Sequence, residues 1–226
     1  MKSVSNLAYM GVWCRDFPEE KMPERLAAFL EAVPFSSSRP GFTSLTIRAV
    51  NSAETAVFEQ DLRGISIDGE KVIELTSGYL QSDSSCEVGS YWDLWSFDNA
   101  AGKPALNPEP LTISCTGEDY DEGLWRERGH FSVDLGFEHF FTGHAGVLAR
   151  AGKAEPPQSN EEAKFLEAMA WPDVLESYRE KTRENIRKLF EWVRQIERML
   201  PIEKVQSWSE GEENFEARIE EILAAR

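Results

Sequence analysis

Cysteine and histidine are scarce in this chain, and their scarcity excludes several kinds of chemical centre. Among 226 residues there are three cysteines and three histidines. Cys14, Cys86 and Cys115 lie far apart and form no CxxC pair, which argues against a disulfide framework and against a zinc site. No phosphate-binding loop, GxGxxG, nucleophile elbow or HExxH is present. We therefore expect free thiols, no metal and no cofactor.

Positive charge is also in short supply. Lysine and arginine number 24 against 40 acidic residues, which leaves a net charge of −16. Nucleic-acid affinity comes mainly from neutralising phosphates with basic side chains, so a nucleic-acid partner is disfavoured. An acidic surface attracts basic proteins instead, and we predict a protein partner with a basic surface.

Long apolar runs are absent as well. No stretch of about 18 consecutive apolar residues occurs, so the sequence predicts no membrane-spanning helix. The first residues carry no small-residue cleavage pattern that would mark a signal peptide. Together with the unpaired cysteines, these absences predict a cytoplasmic protein.

All three histidines fall in one stretch, residues 128–150. Alternation of apolar and polar residues predicts a strand over 128–135, and an apolar stripe at helical spacing predicts one helix after it. A histidine oriented by a carboxylate is the arrangement of a general acid or base. The stretch offers these candidates for such a catalytic site: His130, Asp134, Glu138, His139 and His144.

Simple geometry limits what these candidates can do. Same-face neighbours on a strand are about 6.6 Å apart, too far for His130, Ser132 and Asp134 to relay a proton. His139 and His144 are five residues apart, or about 140° around one helix, so they would not share a face for a metal. The more ordinary interpretation is a hydrogen-bonded core histidine at 144 and surface histidines at 130 and 139.

The order of elements predicts an α+β fold. Residues 1–97 follow a β-α-β-β-α-β order, the ferredoxin-like pattern. A strand over 111–116 should then pair with 128–135 as an antiparallel hairpin. The apolar face of this hairpin would consist of Leu111, Ile113, Cys115, Phe131, Val133 and Leu135.

The remaining sequence predicts a second, helical part. We expect an α+β domain over 1–151, a linker over 152–162 and a C-terminal helical region over 163–226. One long helix should run from Pro172 to Leu200 with a heptad-like apolar seam. Its basic stretch and the acidic last helix, expected to begin at Ser209, favour packing of these two helices against each other.

Two functions follow from these features. The leading one is a non-catalytic cytosolic protein-binding module, an inhibitor, an immunity-type protein or an assembly subunit. Because aromatic residues are enriched at interfaces, tryptophans are the candidate contacts. They are Trp92, Trp95, Trp125 and Trp192. The alternative is an enzyme that uses a histidine–carboxylate site around residues 130–144.

Overall fold

The computed structural model describes residues 6–65, 67–151 and 156–225. Its fold is an antiparallel sheet with helices packed against it. The α+β class is thus confirmed. Within these residues the strands are β1 (Leu7–Cys14), β2 (Phe42–Ala49), β3 (Phe58–Asp61), β4 (Ser84–Asp98), β5 (Lys103–Thr116), β6 (Phe131–Phe137) and β7 (Ile202–Ser209). The α-helices are α1 (Met22–Glu31), α2 (Gly69–Thr76), α3 (Trp125–Arg128), α4 (His139–Thr142), α5 (Ala145–Ala151), α6 (Asn160–Met169), α7 (Pro172–Met199) and α8 (Phe215–Ala224).

The sheet order is β3-β2-β4-β5-β6-β1-β7, and every pair in it is antiparallel. The predicted element order from β1 to β4 is present, but the ferredoxin-like arrangement is not confirmed. A βαβ unit joins parallel strands through a crossover helix. Here β1 pairs with β6 and β7, on the far side of the β4–β5 hairpin from β2. Ala8, Met10 and Val12 of β1 are fully buried, which agrees with a central strand that has a partner on each edge.

The predicted hairpin of β5 and β6 is present. Ile113 lies opposite Val133, and Cys115 lies opposite Phe131. Every side chain of the predicted apolar face is at most 1 % exposed: Leu111, Ile113, Cys115, Phe131, Val133 and Leu135. Period-two alternation located this part of the core because one face of the hairpin packs beneath the helices.

The C-terminal region is not wholly helical. Residues Ile202–Ser209 form β7, which pairs with β1 at one edge of the sheet. The prediction of a helical region without a strand is therefore wrong at these positions. Part of the predicted linker, 152–155, lies outside the described residues. Helix α6 begins at Asn160, inside the predicted linker, where Ser159 caps it by accepting a hydrogen bond from the backbone of Glu162.

The long helix α7 joins the two predicted parts in one hydrophobic core. Ile186, Leu189 and Ile196 are fully buried, in the same core as the strands and α1. Helix α7 contacts β4 and β5 as well as α8, so its seam faces the sheet in addition to the helix expected to cover it. None of the helices in the described residues combines the length and the apolar character needed to cross a bilayer.

The β4–β5 hairpin extends beyond its neighbouring strands, and α7 completes the hydrogen bonds of its exposed edge. The last pair between β2 and β4 is at Ser90, so Trp95 has no strand beside it on that edge. The Trp95 N–H donates to Asn185 Oδ1 at 2.8 Å, and Asn185 Nδ2 donates to the Trp95 carbonyl at 2.9 Å. The same Nδ2 also donates to the Phe140 carbonyl at 2.9 Å. One buried amide therefore holds together α7, β4 and α4.

We expect Asn185→Leu to lower the free energy of unfolding by about 3 kcal/mol. The substitution leaves one backbone N–H and two carbonyls without their partner, and a buried unsatisfied group costs about 1–3 kcal/mol. Urea unfolding measures the loss. Gln195→Leu, at an exposed position of α7, is the control and should change stability by less than about 0.5 kcal/mol. An equally small effect at Asn185 would contradict the role given to it.

Candidate functional site

The three predicted histidines separate into two sites. His130 lies just before β6, whereas His139 begins α4 just after that strand. The seven residues of β6 span about 20 Å, from six rises of roughly 3.3 Å. The candidates of residues 130–144 therefore do not converge on one pocket.

His130 is buried rather than at the surface, where it was predicted. Its Nδ1 accepts the backbone N–H of Cys14 at 3.0 Å, so the neutral ring carries its proton on Nε2. The ring lies between Phe17 and Trp125, with ring centres 4.3 and 4.5 Å away. Nε2 is 3.5 Å from Glu118 Oε1, longer than a good hydrogen bond. Burial lowers the pKa of His130 to about 4, which keeps it neutral near pH 7.

His139 and His144 do meet, contrary to the sequence argument. That argument assumed one helix, but the chain turns through left-handed backbone at Gly143 and His144 (φ 60° and 53°) and starts α5 in a new direction. The two imidazole rings stack with their centres 4.2 Å apart. His144 Nδ1 lies 2.5 Å from the hydroxyl of Tyr178 on α7. The predicted hydrogen-bonded histidine at 144 is present, with His139 packed against it.

This histidine pair is neutral near pH 7. Burial lowers the pKa of His139 to about 3, with a further contribution from His144. Burial also lowers the pKa of His144 to about 4, while the nearby Glu162 carboxylate acts in the opposite direction. The Tyr178 pKa is raised by burial, so its hydroxyl keeps its proton and can donate it to His144. Within the described residues, no group of three or more histidine, cysteine or acidic side chains is arranged to hold a metal.

The two carboxylates proposed to orient a histidine hydrogen-bond to backbone groups. Asp134 Oδ1 accepts the N–H of Gly136 at 2.9 Å, and burial raises the pKa of Asp134. Glu138 Oε2 accepts the N–H of Gly211 at 3.0 Å, which ties α4 to the turn after β7. Asp134 thus bonds within β6 and Glu138 bonds to the turn after β7, and neither forms the expected histidine–carboxylate pair.

The predicted tryptophan contacts are distributed between the core and half-buried positions. Trp92 and Trp192 are 0 % and 2 % exposed, and their rings pack 5.8 Å apart in the core. Trp95 is half-buried beneath the Lys181 ammonium group, 4.1 Å from the ring centre. Trp125 is half-buried over His130 and donates its indole N–H to the Glu118 carbonyl. These four side chains form no exposed aromatic patch.

An open groove lies between β3 and α2, and sequence reasoning missed it. This β3–α2 groove has a volume of about 740 Å³. Ile65, Ile67 and Leu75 supply its apolar lining, and Gln60 contributes from β3. Ile65 is 51 % exposed and lies in the turn that follows β3. That isoleucine, within the sequence RGISIDG, was the one available signal.

The rim of the β3–α2 groove is acidic. Asp68, Glu70 and Glu74 line it from the helix side. Asp68 caps α2 by accepting the backbone N–H of Lys71 at 2.9 Å, and the Lys71 ammonium group pairs with Glu74 at 2.5 Å. The one cation in the lining is therefore already paired within α2, and Glu70 faces solvent.

A second, smaller depression of about 410 Å³ lies on the other side of β3. Glu59, Asp61 and Tyr91 line it together with Arg63. Hydrogen bonds from the Arg63 side chain and backbone lower the pKa of Asp61 to about 2, so this carboxylate is charged at neutral pH. Both faces of β3 are thus bordered by open, predominantly acidic surface.

Comparison of the chain with protein-family models, with curated proteins and with solved structures finds no match. The functional argument therefore depends on the groove, the histidines and the charges described above.

Proposed function

We propose that this protein is a non-catalytic, acidic protein-binding module whose partner has a basic surface, acting as an inhibitor, an immunity-type protein or an assembly subunit. The observation that carries the proposal is the β3–α2 groove, where the exposed Ile65 lies within an acidic rim. An apolar surface bordered by polar residues is typical of a protein-interaction site. The groove takes the place of the four tryptophans as the contact surface.

Charge around the groove supports a basic partner. Five carboxylates surround β3 and the first turns of α2, against two cations, Arg63 and Lys71. Both cations are paired locally, Arg63 with Asp61 and Lys71 with Glu74. The three carboxylates outside these ion pairs are those of Glu59, Asp68 and Glu70. They provide a local negative field that steers and orients a basic surface.

The alternative, a histidine–carboxylate enzyme, has weaker geometric support. Its best remaining element is the His144–Tyr178 hydrogen bond beside His139. A general base needs access to a substrate proton. Nδ1 of His144 is occupied by the tyrosine hydroxyl, and Asp134 and Glu138 hydrogen-bond elsewhere. The groove therefore provides the better-supported function.

Reversing one charge at the groove, Glu70, and one on the other face of β3, Glu59, should abolish most binding to the native partner. We expect Glu59→Lys combined with Glu70→Lys to weaken the affinity at least tenfold, because two attractive contacts with a basic surface become repulsive. Affinity purification from the source cells identifies what the wild-type protein captures. The dissociation constant and the association rate are then measured at low and physiological salt.

The control is Glu213→Lys combined with Glu220→Lys, which changes net charge equally at exposed positions near and in α8. This variant should bind within about threefold of the wild-type protein. Equal binding by both double variants would refute the groove as the site. An association rate that does not change with salt would refute charge as the basis for recognition, because steered association falls with ionic strength.

A further inference from the structure

β3 is the outermost strand at one end of the sheet, and half of its backbone groups face outward. The Leu62 N–H donates to the Thr43 carbonyl at 2.9 Å, which establishes the alternation along this edge. Gln60 therefore turns its N–H and carbonyl toward β2, and the intervening residues Glu59 and Asp61 turn theirs away from the sheet.

Two other free edges of the sheet are protected from pairing. Along the extended part of β4, the side chain of Asn185 occupies the hydrogen-bonding groups of Trp95. Along the extended part of β5, every second residue faces the free edge, and prolines occupy most of these positions. They are Pro104, Pro108 and Pro110. Proline has no N–H to offer a neighbouring strand, and it is a common protection of edge strands.

The edge at β7 is partly covered as well, since Glu216 Oε1 accepts the outward N–H of Ser207 at 2.8 Å. At β3 no described side chain or strand covers the outward backbone groups of Glu59 and Asp61. This edge is instead bordered on the helix side by the open β3–α2 groove. The second depression, lined from β2 and β4 as well as from β3, opens over the sheet next to this edge.

We infer that the β3–α2 groove takes an extended basic segment of the partner as an additional strand beside β3. This inference rests on the proposed function and specifies how the partner binds. Strand addition supplies affinity through backbone hydrogen bonds, and pockets for alternate side chains supply specificity. Glu59 and Asp61 direct their carboxylates to the face of the sheet opposite the helices. They are paired with Thr46 and Ser44 of β2, whose side chains lie on that same face.

The two faces of the site specify the sequence of the segment. Side chains of the added strand that point toward α2 meet Ile65, Ile67 and Leu75, so they should be apolar. Those on the opposite face lie next to Glu59 and Asp61, so they should be lysine or arginine. Because successive side chains of a strand alternate between faces, the segment alternates apolar and basic residues.

The test uses the full-length protein and an end-blocked hexapeptide of three Lys-Val repeats. Two N-methylated versions are compared with it, one methylated at the three lysine amides and one at the three valine amides. In a paired strand only every second amide faces its neighbour, so one version should lose affinity at least tenfold and the other should stay within about threefold. Antiparallel addition predicts the loss for the lysine set, and parallel addition predicts it for the valine set. Titration calorimetry measures the dissociation constants.

A peptide of three Glu-Val repeats controls for charge and should not bind. Equal affinity of the parent and both methylated peptides overturns strand addition, as does equal loss from both sets. Failure of the parent peptide to bind also overturns it. The proposed function is decided separately by capture of the native partner: if the Glu59→Lys, Glu70→Lys protein captures it as wild type does, that function fails whatever the peptides show.

Discussion

Lowering the pH from 7.5 to 5.5 is expected to reduce the free energy of unfolding by about 4 kcal/mol. The cause is the three histidines, of which His130 is fully buried and His139 and His144 are half-buried. Their pKa values in the folded protein are about 4 for His130, about 3 for His139 and about 4 for His144. In the unfolded chain each titrates near the ordinary value of about 6.5. The unfolded state therefore binds more protons than the folded state between these values.

The sign follows from this difference. Where the unfolded state binds more protons, stability rises with pH. The contribution of each histidine is fully present above about pH 6.5 and is lost as the pH falls toward the folded-state pKa. One unit below 6.5, each neutral histidine costs about 1.4 kcal/mol. Most carboxylates titrate below this window, so the loss between pH 7.5 and 5.5 belongs mainly to His130, His139 and His144.

Urea unfolding at pH 7.5, 6.5 and 5.5 measures the effect. Replacing one histidine by phenylalanine, as in His139→Phe, should reduce the pH-dependent loss by about 1.4 kcal/mol whatever it does to stability at pH 7.5. The change in the free energy of unfolding with pH within one variant thus reports protonation alone, because the loss of packing is the same at every pH. A wild-type stability that stays constant from pH 7.5 to 5.5 would mean that these histidines take up protons in the folded protein as readily as in the unfolded chain, and their lowered pKa values would be wrong.

The substitution Leu189→Asp is expected to lower the free energy of unfolding by about 3–5 kcal/mol. Leu189 is fully buried in the core between α7 and the sheet, beside Ile186 and Trp192 of the same helix. The change removes an apolar side chain from a packed site and buries a carboxylate without a partner. Either effect alone is among the few mechanisms that produce losses of this size.

Thermal and urea unfolding measure this loss, and size-exclusion chromatography follows the association state. The control Gln195→Asp places the same carboxylate on an exposed position of α7 and should change stability by less than about 0.5 kcal/mol. If Leu189→Asp keeps the wild-type melting temperature but loses a bound partner or a second copy, the seam is an intermolecular surface. The packing of this α7 seam against the protein's own sheet, as described above, would then be incorrect.

Local hydrophobic periodicity predicted the elements that have one solvent-exposed face and one buried face. The β5–β6 hairpin follows its pattern residue by residue, and α7 follows its seam of Ile186, Leu189 and Ile196. Such patterns are reliable because a shift by one residue would expose the whole apolar face. The pattern was less informative for β7, where polar residues alternate irregularly along an edge strand that is only half-buried.

The candidate site was harder to predict because contacts between distant segments decide it. His139 and His144 were placed on different sides of one helix, yet two left-handed residues bring their rings together. Trp92 and Trp192 were taken as surface contacts, yet they pack against each other in the core. Residue type alone does not distinguish an aromatic side chain that binds a partner from one that fills the interior.

The sequence by itself determined the α+β class, the β5–β6 hairpin, the long helix and the strong negative charge. These properties depend on composition and on periodicities of 2.0 and 3.6 residues, which act within a single segment. Only the tertiary structure decided which strands are neighbours, which histidines meet and which edge stays open. An edge is free or covered according to what other segments place beside it. The groove between β3 and α2 therefore exists only once β3 has joined the sheet and α2 has packed into the common core.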